Sequence, residues 1–80
     1  MSPRIKEAKP DKNHTIDIIF TDGSKGKFDL KPFLDRGRFK ELNDYNNFIN
    51  FYLDDGVITW YNGLDISPDT VYLLKDSYFN

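Results

Sequence analysis

An 80-residue chain without cysteine holds enough sequence for one domain, with neither a disulfide framework nor a thiolate zinc site to staple it. Its core must come from apolar burial, and seven Phe, five Tyr and one Trp suit that need, since each well-buried ring removes on the order of 150–250 Å² from water. A net charge of −2 counts against an independent nucleic-acid binder, and the absence of a signal-type or membrane-length apolar run points to a cytoplasmic protein that does not enter a membrane.

Residues 4–9 are predicted as a first strand, with Ile5 its only large apolar residue. Over residues 14–20, Ile16, Ile18 and Phe20 alternate with Thr15, Asp17 and Ile19, the period of a strand with one buried face. Thr21-Asp22-Gly23-Ser24 is a hairpin turn signal, and residues 25–30 return with Gly26, Phe28 and Leu30 on one face. Pro32 and Gly37 bracket a short helical turn, Lys31 to Arg36, anchored by Phe33 and Leu34. Residues 38–47 read as a second short helical or irregular stretch, where Phe39, Leu42 and Tyr45 recur every three residues.

A strand is then expected over residues 48–53, with Ile49, Phe51 and Leu53 on one face. Asp54-Asp55-Gly56 turns it back into Val57–Tyr61, a second hairpin with apolar residues on both faces. Ser67 is a helix N-cap and Pro68 the first helical residue, where its missing N–H costs nothing. Asp69 sits at the positive end of the helix dipole, and Ile66 and Val71 can close as a hydrophobic staple. This helix should run to about Asp76 with Val71, Leu74 and Tyr78 inward. The fold class is α+β: a small antiparallel sheet of two hairpins plus an N-terminal strand, with short helices and the C-terminal helix on one face.

Charge is unevenly spread. Residues 25–40 carry six basic groups against two acids, and residues 41–80 carry seven acids against Lys75 alone. Arg36, Arg38 and Lys40, interleaved with Phe39, are the nearest approach to a phosphate-binding stripe. An acidic partner protein would suit them equally. Trp60 is assigned to the core, and Tyr52, Tyr61 and Phe48 to the opposite face as candidates for an exposed aromatic patch. His14 is the only histidine, at a strand entry without partners at usable spacing for a triad or metal site. Asp54, Asp55, Asp65 and Asp69 have turn and helix-end roles, and their spacing matches no calcium loop. No catalytic residue, cofactor or metal is expected.

Four segments together resemble a family of short bacterial proteins catalogued as a domain of unknown function. They are Pro3-Arg4-Ile5-Lys6-Glu7-Ala8, Phe20-Thr21-Asp22-Gly23, the run from Phe28 to Phe39, and Asp54 to Trp60 followed by Ser67-Pro68-Asp69-Thr70-Val71-Tyr72. The resemblance implies a compact α+β domain, free-standing or fused ahead of a helix-turn-helix domain. It also implies an antitoxin-like or regulatory partner of a neighbouring gene product. The sequence stops at Asn80, so no DNA-binding role of such a fusion is carried over, and the family supplies no catalytic residues. The expected function is a non-enzymatic protein-binding or regulatory module whose partner contacts are Arg36, Arg38, Lys40, Tyr52 and Tyr61. A homo-oligomer is compatible with that reading. The alternative is a nucleic-acid-associated accessory domain using the same basic residues, and an acidic-cluster, metal-dependent enzyme ranks third.

Overall fold

The computed structural model describes residues 3–77. Strands β1 (Ile5–Asp11), β2 (Thr15–Phe20) and β3 (Lys25–Asp29) form an antiparallel meander. The period of two holds: Ile16, Ile18, Phe20 and Phe28 are sealed inside, while Asp17 and Lys27 pair on the outer face. The β2–β3 turn falls where expected. Gly23 has φ +88°, and Asp22 Oδ1 accepts from the Ser24 amide at 2.9 Å and the Ser24 hydroxyl at 2.6 Å. β1 runs past the expected boundary to Asp11 and across Pro10, which an edge strand tolerates. His14, expected inside β2, instead precedes it in a left-handed turn, with Asn13 and His14 at φ +64° and +57°.

The chain then crosses through two 3-10 segments, Lys31–Phe33 and Gly37–Asn43. Helix α1 (Tyr45–Phe48) follows, capped by Asp44, whose carboxylate accepts from the Asn46 amide at 3.0 Å. This corrects the strand expected over residues 48–53, because β4 (Phe51–Asp54) begins only after the helical turn. The Asp44 cap and the Asn50 amide, which donates to the Asn46 carbonyl at 2.9 Å, satisfy the turn locally. Phe48 is therefore carried into the core, fully buried and 4.9 Å from the His14 ring, and is no part of an exposed patch. Ile49 is left exposed.

β4 and β5 (Val57–Trp60) make the second hairpin. Asp55 and Gly56, at φ +52° and +81°, give the two left-handed residues of a type I′ turn. β6 (Asp65–Ile66) adds to β5, too short to register in the sequence pattern. Helix α2 (Pro68–Leu74) starts at the expected cap, the Thr70 amide donating to Ser67 Oγ at 3.2 Å. Ile66 and Val71 are both buried, as a staple requires.

Leu74, expected inward, is 56% exposed. The helix instead packs Val71 and Tyr72 inward, the Tyr72 ring lying edge-on to Phe20 at 5.0 Å. Lys75 lays its ammonium 4.6 Å over the Tyr72 ring, and Leu74 falls off that stripe. Tyr78 lies outside the described residues. After α2, β7 (Asp76–Ser77) pairs with β3.

The class is α+β, as expected, but the hairpins head two sheets rather than one. The first has the order β1-β2-β3-β7 and the second β4-β5-β6. One core serves both, running from Ile5, Phe20 and Phe28 through Leu42 and Phe48 to Trp60 and Val71.

Candidate functional site

Register decides what the second sheet shows to solvent. Phe51 pairs with Trp60 and Leu53 with Ile58, while Tyr52 pairs with Thr59 and Asp54 with Val57. Trp60 and Ile58 are buried, so alternation turns the second set outward. Tyr52 is exposed there, and Tyr61, one residue beyond β5, lies beside it with ring centroids 5.0 Å apart. Tyr61 is 78% exposed. Trp60, one residue earlier, is core as expected: its indole N–H donates to the Phe48 carbonyl at 2.9 Å, and the rings of Phe39 and Phe51 meet it edge-on.

The turn after β5 draws in part of the basic segment. Gly63, at φ +92°, donates its amide to the Trp60 carbonyl at 3.0 Å, and the Trp60 amide donates to the Leu64 carbonyl at 2.8 Å. The Asn62 carbonyl accepts from the Arg38 guanidinium. Arg38 Nε also lies 4.0 Å from Glu41 Oε2, and Asn62 Nδ2 donates to Glu41 Oε1 at 3.0 Å. Within this frame is an open cleft of about 330 Å³, walled by Glu41, Asn47, Asn50, Tyr61 and Asn62 over Leu42 and Trp60.

The structure thus links Arg38 to the turn that carries Tyr61, and Tyr61 to Tyr52. Arg36 instead holds its guanidinium 5.3 Å over the Phe33 ring, and Lys40 stands exposed. Glu41, Asn47, Asn50 and Asn62 escaped the sequence reading. Their only signal was density, with four asparagines between Glu41 and Asn50.

The other candidates are structural in place. His14 Nε2 lies 2.8 Å from the Leu42 carbonyl, with the Tyr45 and Phe48 rings beside it, and so ties the first sheet to the crossing segment. Asp55 pairs with Arg4 at 3.0 Å at the β4–β5 turn. Asp65 lies in β6 and Asp69 in the first turn of α2. Among the described residues, no group of three or more His, Asp or Glu side chains is placed to hold a metal ion.

On the first sheet's outer face, the Lys27 ammonium lies 2.7 Å from Asp17 and 3.0 Å from Asp11. Those bonds raise the Lys27 pKa, and the one from Lys27 lowers that of Asp11, helped by the Lys12 amide. A second cleft there, lined by Asp11, Lys12, Thr15, Lys27 and Lys31 among others, has much of its charge paired within the chain.

No helix among the described residues is long and apolar enough to cross a membrane. No curated protein and no solved structure gives a significant match to the chain. A family model described as a protein of unknown function, DUF2442, matches residues 5–77, which is the span from the first residue of β1 to the last of β7. On that match the chain belongs to the DUF2442 family.

Proposed function

We propose that this chain is a non-enzymatic, protein-binding module of the cytoplasm, whose partner seats on Tyr52, Tyr61 and Arg38, with Arg36 and Lys40 outside that centre. The observation that carries this reading is the Tyr52–Tyr61 pair, two rings held together in solvent on a sheet face whose other side is packed core. Exposed tyrosines fixed by their backbone offer large, stiff contact area at low entropy cost, and Tyr and Arg are among the residues that dominate binding hot spots. The product of a neighbouring gene is the first partner to try, in keeping with a regulatory or antitoxin-like role.

The test is quantitative co-purification of the wild-type chain and a Tyr52→Ser/Tyr61→Ser variant with the neighbouring product and with cell extract. The reading expects a protein enriched by the wild type and lost with the variant, while the variant's far-UV spectrum and melting curve stay close to wild type. Equal recovery by both would overturn it. Fluorescence anisotropy against random duplex and single-stranded DNA and RNA covers the nucleic-acid alternative. Salt-sensitive binding at low micromolar concentration, abolished by charge reversal of Arg36, Arg38 and Lys40, would replace the protein partner with nucleic acid.

A further inference from the structure

We infer that Asn62-Gly63, in the turn after β5, is a site of spontaneous covalent modification, at which the loss of a single amide group opens the turn for good. Asn62 alone among the asparagines precedes a glycine. Glycine has no Cβ, so the Gly63 nitrogen carries no side chain to obstruct its approach to the Asn62 side chain. The chemistry needs only water. The Gly63 nitrogen gives up its proton and bonds to Asn62 Cγ; the Cγ–Nδ2 bond breaks, and the amide leaves as ammonia with that proton. Water then opens the cyclic imide at either carbonyl, giving aspartate, or isoaspartate with Cβ inserted in the main chain. No partner is needed for this chemistry, although the same turn carries Tyr61.

The fold restrains each reacting group. The Gly63 amide donates to the Trp60 carbonyl at 3.0 Å. Asn62 Oδ1 accepts from the Leu64 amide at 3.1 Å, and Nδ2 donates to Glu41 Oε1 at 3.0 Å. The nucleophile therefore has its proton engaged, and the carbon it must reach is tied on two sides. Attack waits for these bonds to open, so conversion follows the small population in which the turn is undone. The product does not close in the same way. The Asn62 amide gives Glu41 a donor, whereas the carboxylate that replaces it is acceptor-only and faces the Glu41 carboxylate across the same gap. Arg38 is the cation beside the pair, but its guanidinium is already directed at the Asn62 carbonyl and toward Glu41 Oε2 at 4.0 Å. Isoaspartate goes further, since the inserted atom breaks the spacing by which Trp60 bonds to both Gly63 and Leu64.

The test holds the wild-type chain at mildly alkaline pH, folded and in urea, with digestion at intervals and mass spectrometry of the peptide that contains Asn62. Conversion shows there as the mass gain of an amide becoming an acid, which the Asp-Gly pairs at Asp22 and Asp55 cannot imitate. In the folded chain Asn62 should convert before any other asparagine, yet more slowly than in urea. Glu41→Ala should speed the folded-state conversion about three- to tenfold, the factor equivalent to one lost hydrogen bond. No conversion in the folded chain while the unfolded one converts fully, a folded rate equal to or above the unfolded one, or an unchanged rate in Glu41→Ala would each overturn the assignment. The opening of the turn is tested separately with Asn62→Asp. It should lower the melting temperature by a few degrees in the wild-type background, and by less in Glu41→Gln, where the new amide can donate to the new carboxylate. An equal drop in both backgrounds would remove Glu41 from the device, and no drop would mean that Arg38 bridges two carboxylates and closes the turn again. Either result overturns it.

Discussion

At the scale of single residues, Trp60 and Tyr61 show how one step along a strand separates stability from display. Trp60 is 1% exposed and its indole N–H is the partner of the buried Phe48 carbonyl. Trp60→Phe keeps an aromatic ring but leaves that carbonyl without its donor. The expected cost is about 1–3 kcal/mol, read as a lower urea midpoint with an unchanged m-value. Tyr61→Ser, by contrast, removes a side chain that is 78% exposed, and should change stability by no more than about 0.5 kcal/mol. A tyrosine this exposed adds little to the core, and its ring pairing with Tyr52 is the basis of the proposed contact.

At the scale of elements, caps explain both what the sequence disclosed and what it concealed. Ser67-Pro68-Asp69 is a helix start written in three residues, and α2 begins there. Ser67→Ala removes the acceptor for the Thr70 amide and should cost ~0.5–2 kcal/mol, measured as a shift in the thermal or urea midpoint. Both hairpin turns were legible for a similar reason, since Asp-Gly supplies left-handed backbone at the position that needs it. Asp44 is also a cap, but the apolar run from Phe48 to Leu53 looked like continuous strand and hid a helix of one turn. The separation into two sheets was illegible because strand pairing between distant segments leaves no periodic trace, and β6 and β7 are two residues each. The cleft was missed for another reason. Its walls are asparagines, whose local turn-forming habits mask any role they take up across the fold.

At the scale of the whole molecule, the Lys27 network on the first sheet and the Ser24 hydrogen bonds to Asp22 make stability depend on acid. Lys27 bridges Asp11 and Asp17, and Asp11 and Asp22 both have carboxyl pKa values below the ordinary 3.8. A depressed carboxyl pKa adds stability above its unfolded value and loses it as pH falls through the folded one. The melting temperature should therefore decline in the acid range below 3.8. Lys27, whose pKa is raised, contributes in the opposite sense: its share is complete below its ordinary value of 10.5 and fades only as alkali rises through the folded value. Lys27→Met should shrink the acid decline, a comparison made by melting both proteins at neutral pH and at successive acid steps. Divalent ions are expected to do nothing comparable. Asp54 and Asp55 sit at a turn, Asp65 in β6 and Asp69 in α2, so millimolar calcium or magnesium should leave the melting temperature unmoved. A rise of several degrees would show a cation site in that set.

The pairing of β7 with β3 also imposes a schedule on synthesis. Strands β1, β2 and β3 are consecutive and can pair soon after Asp29 clears the ribosome, yet the outer side of β3 has no neighbour until Asp76 and Ser77 emerge. At roughly 5–20 residues per second, that edge stays open for seconds while the second sheet is being made. Nascent chains crowded on one messenger could then add to each other edge to edge. Lys25, exposed on β3, places a charge at that opening, one of the devices by which a sheet edge resists such pairing.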